Sequence, residues 1–253
     1  MADGSAIEWT EATWNPVTGC SKVSPGCAHC YAETLSLRFG HSALPWTPAN
    51  ARENVVLHPG RLEQPPRWRR PRMVFVNSMS DLFHELVPAK FVDRVYDVMA
   101  SSPQHTFQIL TKRPERALEL YEAAGERLAG LENVWLGVSI ENSRFTWRAD
   151  VLREIPTAVR FISAEPLLGS LLDPGGRNRA ALDLEQIDWL IAGGESGPHY
   201  RPVRIEWVRE LRDACAAAGV AFFFKQWGGR TSKAGGRLLD DRTYDEMPCA
   251  ATS

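Results

Sequence analysis

Six short runs recur along the chain: "MVFVNS" from Met73, "FQILT" from Phe107, "NVWLGVS" from Asn133, "VRFISA" from Val159, "DWLIAG" from Asp188 and "VAFFFK" from Val220. Most are continuously apolar and do not alternate. Strands read this way when both faces are buried, as in a parallel sheet. Their starts lie about 26–34 residues apart, the size of one strand–helix unit. Between several of them apolar residues recur with helical period. Phe91, Val92, Val95, Val98 and Met99 make one face behind Pro88; Phe145, Val151, Leu152 and Ile155 make a second; Trp207, Val208, Leu211, Cys215 and Ala218 make a third. A further strand is expected within "TEATWNPVTG", ahead of the first cysteine. The pattern predicts an α/β fold, a partial (βα) barrel of about six or seven parallel strands. An open doubly wound sheet is the alternative, but no G-x-G-x-x-G follows the first strand.

The 253 residues suit one such barrel. It is expected over 1–230, with an irregular Pro/Arg-rich insertion at about 41–72 and a peripheral tail over 231–253. The net charge is −2, so any site for a polyanion has to be local. The start, "MADGSAIEWTEATW", has no basic and then apolar segment of the signal-peptide kind. No apolar run approaches the ~18–20 residues of a membrane span. Five cysteines, three of them bunched, do not make a disulfide framework. The expectation is a cytoplasmic protein that contacts no membrane and keeps its thiols for metal.

In a barrel the chemistry gathers at the C-terminal ends of the strands, and here those ends are polar. They carry Asn77, Ser78, Ser80 and Asp81; then Thr111, Lys112 and Arg113; then Ser139, Glu141 and Asn142; then Glu165; then Gly193, Gly194 and Glu195; then Lys225. Single polar ends are often helix caps, and Ser80, Asp81, Asn142 and Ser143 fit that role. The carboxylates also fit a structural network with Lys112, Arg113 or Lys225. Gly193 and Gly194 point to a close backbone approach.

The loop "CSKVSPGCAHC" follows the first expected strand and places Cys20, Cys27 and Cys30 at the same mouth, spaced C-x6-C-x2-C. Pro25 and Gly26 fold the spacer back. Zinc needs a fourth ligand, and only His29 or His41 is near. Cys215 falls on an apolar stripe and reads as packing. Three thiolates also suffice for three irons of a 4Fe-4S cluster, leaving one iron open to a small chelating molecule.

These residues resemble the radical S-adenosylmethionine (SAM) superfamily, whose usual loop spacing is C-x3-C-x2-C. More closely, "WNPVTGC", "GCAHCYA", "PRMVFVNSMSDLFH", "LTKRPER", "LGVSIEN", "FISAEPLLG", "WLIAGGESG" and "FFFKQWG" resemble the phage-associated family named after gene products thirty-seven and sixty-eight. The resemblance implies a 4Fe-4S cluster on Cys20, Cys27 and Cys30. That cluster would reductively cleave SAM to a 5′-deoxyadenosyl radical, which abstracts hydrogen from a substrate, with a flavodoxin or ferredoxin as one-electron donor. It puts His29 near adenine and Ser78, Ser80 or Asp81 at the methionine amino group. It puts Lys112 or Arg113 at the carboxylate, Ser139, Glu141 and Asn142 at the ribose, and Gly194 and Glu195 near adenine. Glu165 and Lys225 are the candidates for catalysis.

Two other readings stay open. One is a barrel hydrolase using two of Glu141, Glu165 and Glu195. The other is a non-catalytic iron–sulfur or zinc module that binds nucleic acid. In "PPRWRRPR", Arg67, Arg69, Arg70 and Arg72 surround Trp68. Arginines neutralise phosphates and tryptophan stacks on bases, so this patch reads either as the contact for a nucleic acid or nucleotide substrate or as a solvated basic loop with a proline ring stacked on Trp68.

Overall fold

In the computed structural model, the chain is described over residues 5, 7–173 and 180–248. Every expected apolar run becomes a strand. Strand β1 is Ala12–Trp14, followed by the two-residue β2 (Val17–Thr18), helix α1 (Tyr31–Arg38), helix α2 (Ala51–Asn54) and β3 (Val56–Leu57). Then come β4 (Met73–Val76), α3 (Ala89–Ala100), β5 (Thr106–Thr111), α4 (Pro114–Ala124), α5 (Glu126–Ala129) and β6 (Val134–Ser139). The chain continues through α6 (Trp147–Glu154), β7 (Val159–Ala164), β8 (Trp189–Gly193), α7 (Ile205–Ala218) and β9 (Ala221–Gln226). The main sheet has seven strands in the order β1-β4-β5-β6-β7-β8-β9, that is, in chain order. Parallel strands in chain order with helical crossovers are the partial (βα)-barrel arrangement.

The described residues fall into two compact units, Met1–Leu136 with Ile155–Ala158, and Gly137–Glu154 with Val159–Ser253. In the first, β1, β4 and β5 pair in parallel, and Trp14, Val74, Val76, Phe107 and Ile109 are fully buried. Phe91, Val92, Val95 and Met99 of α3 are buried as their spacing requires, with Pro88 just ahead of the helix as its cap. In the second, β7, β8 and β9 pair in parallel. Their continuous apolar runs are buried on both faces: β8 has no exposed residue. Of the α7 stripe, Val208, Leu211 and Cys215 are buried, but Ala218 is exposed because it lies at the last turn.

Two regions differ from expectation. The insertion at 41–72 is not irregular: it holds α2, β3 and three short 3-10 turns. It wraps the segment that leads to the cysteines. Strand β3 pairs antiparallel with β2, the Trp14 indole donates to the Arg61 carbonyl at 2.8 Å, and the Arg61 guanidinium donates to the Asn15 carbonyl at 2.9 Å. The tail also docks. The Phe224 N–H donates to the Tyr244 carbonyl, the Glu246 N–H donates to Phe222, and the Trp189 indole donates to Glu246. These bonds cover the edge of β9 that β8 leaves open, and an uncovered edge invites pairing with other chains. No helix among the described residues is long and apolar enough to cross a membrane.

Candidate functional site

The first unit presents the cysteine loop. It begins at Gly19, whose φ is +82° and whose position leaves no space for a side chain: a Cβ there would lie 1.8 Å from the Asn54 carbonyl oxygen. Glycine is required on both counts. The Gly19 N–H donates to the Met79 carbonyl, and Gly19 bridges Ser80 in parallel, which lays the loop beside the C-terminal end of β4. The insertion grips the other side. The Lys22 N–H donates to the Trp46 carbonyl. The Trp46 N–H donates to the Glu33 carboxylate at 2.8 Å, and that carboxylate also pairs with the Lys22 ammonium at 2.8 Å. Pro25–Cys27 forms a 3-10 turn, and Cys30 caps α1.

All three thiols are free. The Cys20 thiol donates to the Ser21 carbonyl at 3.5 Å and receives an N–H from Arg113 at 3.6 Å. The Cys27 sulfur meets the Ser24 hydroxyl at 3.8 Å. Cys20 and Cys30 each lie within electrostatic reach of Cys27. Burial pushes the Cys20 thiol up to about 12, against the pull of Arg113. Burial raises Cys30 too, against backbone N–H groups and Lys112. Among the described residues no three His, Cys, Asp or Glu side chains converge as a ready metal-binding group. The donor chemistry nevertheless fits a three-thiolate centre: three free sulfurs share one loop, and the cations Arg113 and Lys112 partly offset the burial that raises Cys20 and Cys30.

Asp81 and Arg113 are not open to a ligand. The Asp81 carboxylate accepts from the Phe83 N–H (3.0 Å), the Thr111 hydroxyl (2.8 Å), the Lys112 N–H (3.1 Å) and Arg113 (3.2 Å). It therefore ties β4 to β5 and does not wait for an amino group. Ser80 donates its hydroxyl to the Val17 carbonyl, and Ser78 exchanges hydrogen bonds with Asn15. Lys112 is half-buried, and its ammonium makes no ion pair among the described residues. His29 is exposed. The sequence reading missed Ser21, His84 and Glu85. The Ser21 hydroxyl lies 2.9 Å from His84 Nε2, and His84 Nδ1 lies 3.4 Å from Glu85. This is not a hydrolytic triad. The Leu86 N–H donates to Nδ1, so Nε2 carries the proton and donates to Ser21, the wrong tautomer for a base. Burial and Arg113 both lower the His84 pKa and keep it neutral.

The second unit carries three ion pairs near strand ends. Glu141, fully buried, pairs with Arg148 at 3.1 Å, and Arg148 also donates to the Ser139 carbonyl at 2.7 Å. Glu195 accepts two guanidinium N–H bonds and the main-chain N–H of Arg201. Glu165 pairs with Lys225 at 2.9 Å, both half-buried. Among the described residues each of these glutamates is paired with a cation, and Arg201 lies within electrostatic reach of Glu141 as well as Glu195. Asn142 caps the turn Ser143–Phe145 through the Arg144 N–H. The close approaches at the two glycines are internal. A Cβ on Gly193 would meet Glu165 at 2.8 Å, and one on Gly194 would meet the Trp227 carbonyl at 2.0 Å. Gly194 donates its N–H to the Gln226 carbonyl and accepts from the Gln226 side chain, so its amide is not available to adenine.

The basic segment precedes β4 and so stands at the opposite end of that strand from Asn77–Asp81. Trp68 packs edge-on against His105, and Arg72 lies over its ring at 5.3 Å. Arg67 pairs with Glu63. Arg69 and Arg70 are exposed.

Fold and loop together define an α/β chain of the partial (βα)-barrel class with a three-thiol loop after its first strand. The chain belongs to the family described as protein of unknown function DUF5131, whose profile matches residues 4–248. No curated protein matches it. Among solved structures it is similar to a spore photoproduct lyase mutant with bound AdoMet and dinucleoside spore photoproduct, at 13% identity and a TM-score of 0.42, covering 72% of this chain and 55% of that one. It is also similar to spore photoproduct lyase complexed with dinucleoside spore photoproduct, at 13% identity and a TM-score of 0.38, covering 71% and 54%. The chain thus spans about half the length of the lyase chains it matches.

Proposed function

We propose that the chain is a radical SAM-type enzyme of the kind the phage-associated family represents, with Cys20, Cys27 and Cys30 holding a 4Fe-4S cluster. The observation that carries this reading is the loop itself: three free thiols in the segment after β1 and the short β2, fixed against the segments that follow β4 and β5. When bound, such a cluster supplies one electron to the sulfonium of SAM. Lys112, half-buried beside Cys30, takes the carboxylate of the methionine part by a charge-assisted bond. His29 and Tyr31 flank Cys30 on the exposed side, and the Tyr31 hydroxyl donates to the Ser78 carbonyl at 2.7 Å. In the second unit, Glu165 and Lys225, the residues proposed for catalysis, form an ion pair at 2.9 Å. Glu141 and Glu195 act through structure, each clamped by an arginine. The electron donor is of the flavodoxin or ferredoxin kind. The substrate class is a nucleic acid or nucleotide, anchored through Arg69 and Arg70 at a distance from the chemistry.

Anaerobic reconstitution with iron and sulfide tests the ligand set. The wild-type chain and Cys215→Ala take up the cluster, whereas Cys20→Ala, Cys27→Ala and Cys30→Ala do not. Cys249→Ala loads as well, although Cys249 lies outside the described residues. Full loading of Cys20→Ala would overturn the assignment.

A further inference from the structure

Resting on the three-thiolate reading, we infer that Arg113 is the positioning residue of this centre: it locks the cysteine loop to the strand ends and presents a cationic N–H to the Cys20 sulfur. The side chain is almost wholly buried. Its guanidinium reaches Glu85 Oε1 at 3.1 Å, Asp81 Oδ2 at 3.2 Å, the Cys20 sulfur at 3.6 Å, and the Ser21 carbonyl and hydroxyl at 3.1 Å each. A guanidinium has five N–H donors in a fixed fork, and every one of these acceptors lies 28 to 93 residues away in sequence. No lysine covers that spread from a single ammonium. A buried cation requires a compensating charge, and the buried Asp81 supplies it from the segment that follows β4 while the more exposed Glu85 adds to it. Asp81 is itself held by Thr111 and by the Lys112 N–H of β5 and its following turn. The loop, β4 and β5 therefore share one hydrogen-bonded node, and the only sulfur it touches is that of Cys20 among the described residues.

Two consequences follow. Without Arg113 the loop loses its anchor on Ser21 and Cys20, though Trp46 and Gly19 still hold it. With a metal centre bound, an N–H bond to a ligating sulfur draws electron density from it and raises the reduction potential.

The test uses Arg113→Lys, which retains the charge that compensates Asp81, and Arg113→Met as the harsher change. Hydrogen exchange on the unloaded full chain is read over residues 18–31, with residues 205–218 of α7 as the folding control. Arg113→Lys should speed exchange over 18–31 by about tenfold and leave α7 unchanged, because a hydrogen-bonded tether worth about one decade in opening is lost. After anaerobic reconstitution, both variants should show a midpoint potential more negative than wild type. Unchanged exchange over 18–31 overturns the anchoring role. Faster exchange with an unchanged potential overturns the contact with the bound centre. If the wild-type chain takes up no iron, the three-thiolate reading fails, and the exchange measurement alone then decides whether Arg113 anchors the loop.

Discussion

Replacing Arg148 by methionine isolates the costliest electrostatic element in the second unit. Glu141 is 0% exposed and Arg148 is 2% exposed. Removing the cation strands a carboxylate inside the protein, which costs about 3–5 kcal/mol. The lost bond to the Ser139 carbonyl, 2.7 Å long, adds on the order of 1 kcal/mol. The Arg148 guanidinium also lies 4.4 Å from the Phe145 ring centre, a contact that methionine partly keeps by packing. For a chain of this size each kcal/mol moves Tm by roughly 2–4 °C, so the Tm of Arg148→Met should fall by about 8–24 °C. The double variant Arg148→Met with Glu141→Leu should recover most of that loss, since apolar pairs of matched volume replace buried ion pairs at little cost. Thermal unfolding followed by circular dichroism reads both. Raising the salt from 0.1 to 1 M should change neither result, because a buried pair is poorly screened. A drop under about 2 °C for the single variant, or a double variant less stable than the single, refutes the reasoning. It would return Glu141 to the role of a ligand-facing group that its strand-end position first implied.

Three further outcomes follow from the same structure. Gly19→Ala combines a left-handed backbone with a Cβ driven into the Asn54 carbonyl; it should displace the loop and lower iron uptake at least tenfold, measured per chain after reconstitution. Asp240 is held down to about 2 by its bonds to Arg209 and Arg212, so its contribution is fully present above the ordinary value near 4 and is lost as pH falls from about 4 to about 2. Proteolysis of the tail by an acid-active protease should therefore accelerate across that window, while Asp240→Asn loosens the tail at neutral pH and shows no such step. Because Trp68 is covered by Arg72 and His105, the basic segment should hold duplex and single-stranded DNA alike, with a steep salt dependence that Arg69→Ala with Arg70→Ala flattens in fluorescence anisotropy.

The strands were legible because a strand buried on both faces writes a continuous apolar run, as "WLIAG" of β8 does. The place of the cysteine loop, after the first strand and ahead of α1, was legible from its position in the sequence. The insertion was not, because its ties are long-range and single: Trp14 to Arg61, Thr18 to His58, Lys22 to Trp46. Nor was the choice between ligand and strut at the strand ends. Asp81 and Glu195 look equally available in sequence, and only the distant or folded-back arginines at 113 and 201 remove them. One signal was overlooked: Arg148 sits four residues before Leu152, on the buried side of α6 with Ala149. A charge in that register has to find a buried partner.

The central claim is that this loop serves SAM chemistry. The most direct test is chromatography of the products formed by anaerobically reconstituted, dithionite-reduced protein incubated with SAM. The account expects 5′-deoxyadenosine and methionine in equal amounts, formed slowly even without substrate, and absent in Cys27→Ala. A protein with its cluster intact that neither binds SAM by calorimetry nor releases 5′-deoxyadenosine would contradict it.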